Sequence, residues 1–166
     1  MDQAAHRRTF HLTTRVLAVL LLALAAAAPE DRSQSSAAPA QGIEAILDRV
    51  RPDSRLEMFY LSAPDCPYCT HWESRARNEL LAWSADKALS FVEIRGETLR
   101  QPITERHYPP EYRWVYEQIG PSRGVPRFLL AVDGRVLLSA YGTARYNEIF
   151  LPALKKVAAR RADTRS

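Results

Sequence analysis

Cys66 and Cys69 are the only two cysteines in the chain, and only Pro67 and Tyr68 separate them. The run before them, Leu56 to Leu61 (LEMFYL), is short, apolar and aromatic, as strands are. After them Cys69, Trp72, Ala76, Leu80 and Trp83 recur at three- and four-residue steps, the pattern of one helical face. The pair therefore stands where a strand hands over to a helix. Proline is favoured at the first helical position, which places Pro67 there and Cys66 at the N-cap. A thiolate at an N-cap faces the unpaired N–H groups of Tyr68 and Cys69 and the positive end of the helix dipole. Both favour S⁻ over SH, so the Cys66 thiol is predicted to ionise more readily than a free one. Cys69, one turn further in, is predicted to be the more buried and close enough to form a ring with Cys66.

Other uses of two cysteines can be weighed on chemistry. Structural zinc needs four ligands, and beyond the cysteines only His71 is near, at an unusual spacing. A purely structural disulfide across two residues closes too small a loop to stabilise much. Copper(I) on two soft thiolates is chemically reasonable, and a copper(I) metallochaperone is the alternative to redox exchange. The neighbours are aromatic and basic, and Met1 and Met58 are the only methionines. That environment favours thiol–disulfide exchange over copper.

The remaining elements follow from periodicity and turn chemistry. Ile43, Ile46, Leu47 and Val50 fit one face of a helix that Pro52-Asp53 ends. Leu89 to Arg95 (LSFVEIR) reads as a second strand, and residues 97–110 as a polar loop. Glu111 to Ile119 reads as a helix, with Gly120 placed to cap it and Pro121 just beyond. Phe128 to Val132 and Val136 to Tyr141 read as strands joined by Asp133-Gly134, a strong hairpin signal. Thr143 is positioned to cap a last helix running through Val157, with a kink at Pro152. This order implies an α/β fold, a central mixed sheet of about four strands flanked by helices on both faces. A core segment of about 115 residues is enough for one hydrophobic core.

The N-terminus has a different character. Arg7, Arg8 and Arg15 precede Val16 to Ala28, thirteen apolar residues without a charge. As a helix that run spans roughly 20 Å, short of the about 20 residues a bilayer requires. A basic start, a short apolar run and a small-residue exit read as a signal peptide over residues 1–28. Arg7-Arg8-Thr9-Phe10 also fits a twin-arginine signal, and an uncleaved membrane anchor is the alternative. Residues 29–42, rich in Pro, Ser, Ala and Gln, read as a flexible linker, 43–160 as the folded domain, and 161–166 as a polar tail. Export places the protein in the periplasm if the cell is bacterial, an oxidising compartment where a close cysteine pair can form a disulfide. The net charge of +4 is mild. The Lys155, Lys156, Arg160, Arg161 cluster reads as a solvated helix end favoured by the dipole, not as a nucleic-acid surface.

Gly124-Val125-Pro126-Arg127-Phe128, followed by LLAVDGRVLLSAYG, resembles the C-terminal half of a thioredoxin. With Asp65-Cys66-Pro67-Tyr68-Cys69 ahead of it, both signature elements of the thioredoxin-like superfamily occur in order. The resemblance covers roughly residues 43 to 157 and implies a thioredoxin-like fold and an exported thiol–disulfide oxidoreductase. It implies that Cys66 attacks and Cys69 resolves, that Pro126 is a cis-proline, and that Val125 and Tyr68 contact substrate, Val125 by β-augmentation. It implies protein disulfides as substrates, a membrane or periplasmic redox partner and a monomer, with no cofactor, metal or nucleic acid. The direction it favours is reduction. Departures from the family pattern are clear. Pro-Tyr separates the cysteines instead of Gly-Pro, and Tyr60 occupies the strand position where thioredoxins carry a buried acid. Glu57 lies three residues earlier and is predicted to face the other side of the strand. The segment before the third helix is also longer than in a minimal thioredoxin.

Overall fold

The computed structural model describes residues 38–163 of the chain; the signal-peptide reading of residues 1–28 and most of the linker reading lie outside them. Among the described residues no helix is long and apolar enough to cross a membrane.

The first element, α1, is Ala38–Leu47, beginning before Ile43, so the last residues of the segment read as linker are helical. Then come β1 (Leu56–Ser62), α2 (Pro67–Trp72), a π turn (Glu73–Arg77) and α3 (Asn78–Asp86). The face predicted from Cys69 to Trp83 therefore runs along one continuous helical stretch that widens after its first turns. Strand β2 is Leu89–Arg95, with the predicted bounds. In the polar loop, short 3₁₀ turns form at Glu105–His107 and Pro110–Tyr112, the second leading into α4, Arg113–Ile119. Strands β3 (Arg127–Val132) and β4 (Arg135–Tyr141) follow.

The sheet order is β2-β1-β3-β4. Strands β1 and β2 are parallel, while β1–β3 and β3–β4 are antiparallel, so the sheet is mixed and four-stranded as expected. Asp133 and Gly134 take φ of 50° and 78°, the left-handed pair that a two-residue hairpin turn requires. The turn is also tied to the start of β1, because the Asp133 carboxylate accepts from Arg55 N–H at 2.7 Å and Ser54 Oγ at 2.9 Å. Gly120 ends α4 with φ 64°, its N–H bonded to the Tyr116 carbonyl.

Alternation along the strands sorts the core into two layers. One holds Leu56, Met58 and Tyr60 of β1 with Phe128 and Leu130 of β3, under Cys69, Trp72, Leu80, Tyr146, Phe150 and Leu154. The other holds Phe59, Leu61, Ile94 and Leu129 against Tyr108, Val115 and the aromatic side chains of Tyr112 and Trp114. Helices therefore cover both faces.

The C-terminal helix differs in detail from its sequence reading. It starts at Gly142, not behind a Thr143 cap, as α5 (Gly142–Arg145). A π turn (Tyr146–Phe150) then leads into α6, Leu151–Asp163. Leu151 N–H bonds the Tyr146 carbonyl, five residues back, one position before Pro152. A proline without an N–H cannot continue the regular ladder, so the expected kink takes the form of a widened turn. The helix also runs past Val157, and Arg161 is not part of a solvated tail. It is only 6% exposed. Its guanidinium donates to the carbonyls of Ser54 (3.2 Å), Ala88 (3.0 Å) and Lys87, clasping the ends of two loops.

Glu57 faces away from Tyr60, as strand parity requires, and is buried at 3% exposure. Its Oε2 lies 3.2 Å from Arg55 Nε. Burial raises its carboxyl above the ordinary range, and the Arg55 charge and hydrogen bond offset part of that rise. A raised folded-state value means stability that is present below about pH 4.5 and lost as pH rises through the folded value. Glu57→Leu is therefore expected to stabilise the domain at pH 7 by about 1 kcal/mol, as apolar replacement of buried charges often does. Urea denaturation at pH 7 and again near pH 4.5 checks this: the gain should shrink at the lower pH, where the wild-type carboxyl takes up its proton.

Candidate active site

The C-terminal end of β1 leads through Ala63-Pro64-Asp65 into Cys66. Cys66 has φ −95° and ψ 108°, the extended conformation of an N-cap, and Pro67 occupies the first helical turn. Cys66 Sγ accepts the N–H of Cys69 at 3.1 Å, so the sulfur itself caps the helix. The N–H groups of Cys69 and Thr70 also reach the Cys66 carbonyl, at 3.1 Å each. Cys66 and Cys69 are disulfide-bonded, with Cα atoms 5.2 Å apart. Burial does not distinguish the two: each is 1% exposed, whereas the sequence pattern predicted Cys69 to be the more buried. What separates them is position on the helix, Cys66 at the cap and Cys69 within the first turn.

The predicted partners converge on Cys66 only in part. Val125–Pro126 is a cis peptide bond, and the Val125 carbonyl lies 3.7 Å from Cys66 Sγ. Pro126 is buried, and its carbonyl accepts Gly142 N–H at 2.8 Å, tying the loop to the start of α5. Tyr68 points outward at 67% exposure, part of the surface beside the disulfide with no described contact to Val125. Among the described residues no group of three or more His, Cys, Asp or Glu side chains gathers in a metal-binding cluster.

Two features escaped the sequence. Asp65, the residue before Cys66, turns its carboxylate toward the long loop after β2. It accepts Thr98 Oγ1 at 2.5 Å and Leu99 N–H at 2.6 Å, and these donors hold its carboxyl below the ordinary range. The insertion is thereby anchored to the motif. Tyr60, buried completely, donates from Oη to Glu73 Oε1 at 2.9 Å. Glu73 follows Cys69 by four residues, a spacing visible in the sequence, but nothing in the sequence pairs it with a tyrosine on a strand.

No family model matches the chain, and no curated protein matches it. Solved structures do. A crystal structure of the periplasmic thioredoxin SoxS from Paracoccus pantotrophus, in its reduced form, superposes with a TM-score of 0.44 at 18% identity, over 64% of this chain and 98% of that one. A DsbH oxidoreductase superposes with a TM-score of 0.42 at 19% identity, over 70% of this chain and 81% of that one. Independently of those likenesses, this chain's own sheet order, its cysteine pair at the start of the helix after the central parallel strand, and its cis-proline beside the first cysteine give it the thioredoxin-like fold.

Proposed function

We propose that this protein is an exported thiol–disulfide oxidoreductase that reduces disulfides in polypeptide substrates. The observation that carries the reading is the capping of the helix by Cys66 Sγ, which accepts the Cys69 N–H. A thiolate in that place keeps the same donor and the positive end of the helix, so reduction leaves a nucleophile ready for attack. In the first step the Cys66 thiolate attacks a substrate disulfide, forming a mixed disulfide and releasing one substrate thiolate. In the second, the Cys69 sulfur attacks Cys66 Sγ, which closes the disulfide and releases the other thiolate. A redox partner then returns two electrons to the pair. Val125, the residue before Pro126 and next to Cys66, offers backbone groups to an extended substrate, and Tyr68 flanks the entry.

The division of labour is testable by alkylation and by substitution. Cys66 of the reduced protein should react with iodoacetamide at a pH well below the about 8.5 at which a free thiol is half ionised. Cys66→Ser should abolish insulin reduction, whereas Cys69→Ser should accumulate mixed disulfides. First alkylation at Cys69 would reverse the two roles. A reduced wild type that binds copper(I) very tightly and reduces no disulfide would assign the pair to metal transfer instead.

Export is read from residues 1–28, and the same reading has them removed. The protein recovered from a bacterial periplasm should have an intact mass lacking about the first 28 residues, the length of the basic and apolar segment together. A full-length species pelleting with membranes would show an anchor in place of a cleaved signal.

A further inference from the structure

The second step of exchange needs a base, because Cys69 must shed its proton to attack, and at 1% exposure it has little access to bulk water. The helix supplies a carboxylate in a suitable place. Glu73 follows Cys69 by four residues, and its N–H bonds the Cys69 carbonyl, so the turn between them is regular. Long side chains on a helix lean back over the turn toward its N-terminus, which directs Glu73 over Cys69. From β1, Tyr60 shares the buried cluster of Cys66, Cys69 and Trp72 and holds Glu73 Oε1 at 2.9 Å. Its ring packs on Trp72 at 4.4 Å and on Phe128 at 5.4 Å, so the hydroxyl is fixed.

We propose that the Glu73 carboxylate, held in place by Tyr60, accepts the proton of Cys69 when the mixed disulfide is resolved. This rests on the exchange reading above. The Cys69 S–H bond breaks as its proton passes to Glu73, directly or through one water. The freed thiolate forms the bond to Cys66 Sγ, the bond from Cys66 to substrate sulfur breaks, and the substrate leaves as a thiolate. Glu73 is partly exposed, so its proton can pass on to solvent. Burial first, and then the hydrogen bond to Glu73, push the Tyr60 phenol far above its ordinary range, so Tyr60 stays the donor and Glu73 the acceptor. The other charged groups facing Tyr60 are Glu93 and Arg95 of β2. Glu93 is engaged by Arg77 at 3.4 Å, Arg95 at 3.8 Å and Ser62 Oγ at 3.1 Å.

The two steps can be read separately by stopped flow. Reduced protein is mixed with the aromatic disulfide dithiobis(nitrobenzoate), and the coloured thiolate it releases is followed from about pH 5 to 9. The first equivalent reports attack by Cys66 and the second attack by Cys69. Glu73→Gln should slow the second equivalent at neutral pH by about a hundredfold, the low end of a general-base contribution. The slowed rate should climb steadily with pH as hydroxide replaces the carboxylate, more steeply than the wild-type rate. Glu73→Asp should recover part of it. Tyr60→Phe, which keeps the ring and removes one hydrogen bond, should slow the same step by about fivefold, and it carries the test should Glu73→Gln fail to fold. A second equivalent with wild-type rate and pH profile in these variants would overturn the role of Glu73. A wild type that releases neither equivalent would overturn the exchange reading, and this inference with it.

Discussion

All seven residues of β1, Leu56–Ser62, are buried, so both faces of this strand must be covered and both edges paired. A parallel partner on one edge and an antiparallel one on the other meet the second requirement. Helices on opposite faces meet the first. The consequence for function lies at the strand's C-terminal end. A strand fixed on all sides ends at a fixed point, and the chain leaves it through Ala63-Pro64-Asp65 to begin a helix. Cys66 is therefore placed by a strand buried along its whole length, and it is itself part of the core.

The surroundings of Cys66 come from two distant parts of the chain, the cis-proline loop and the long loop after β2. The cis-proline loop is bound to α5 through Pro126 and Gly142 and brings the Val125 carbonyl to the sulfur. The Arg127 guanidinium, behind that loop, donates to Ser139 Oγ at 3.0 Å and lies 4.6 Å above the Tyr141 ring. The long loop after β2 is held by the Asp65 carboxylate. Those donors hold the Asp65 carboxyl below its ordinary range, so the residue before Cys66 is a stabilised carboxylate bound to the loop.

What could be read in the sequence was local. The β2 bounds, the Asp133-Gly134 turn, the Gly120 cap and the Cys66 N-cap each depend on residues within a few positions of one another, and each lies where the pattern put it. What could not be read depends on partners far along the chain. Arg161 looks like one more basic residue at a helix end until β1 and β2 bring the Ser54, Lys87 and Ala88 carbonyls together before it. Thr143 has the chemistry of a cap, but Gly142, with φ 77°, already turns the chain into the helix. Strand parity told correctly that Glu57 faces away from Tyr60, but not that Tyr60 meets Glu73.

That last pairing shows how a polar group survives inside an apolar layer. Tyr60 lies among Trp72, Phe91 and Phe128, with no solvent exposure. An unpaired hydroxyl there would cost about 1–3 kcal/mol. The helix above it removes that cost by offering Glu73 at its half-exposed edge, so the carboxylate keeps contact with water while the hydroxyl does not need it. Glu57, on the opposite face, has the reverse arrangement: the charge is buried, and its partner Arg55 is largely exposed. An acid is thus tolerated near this sheet in two ways. Only the arrangement with the charge at the rim places a carboxylate one helical turn from a cysteine.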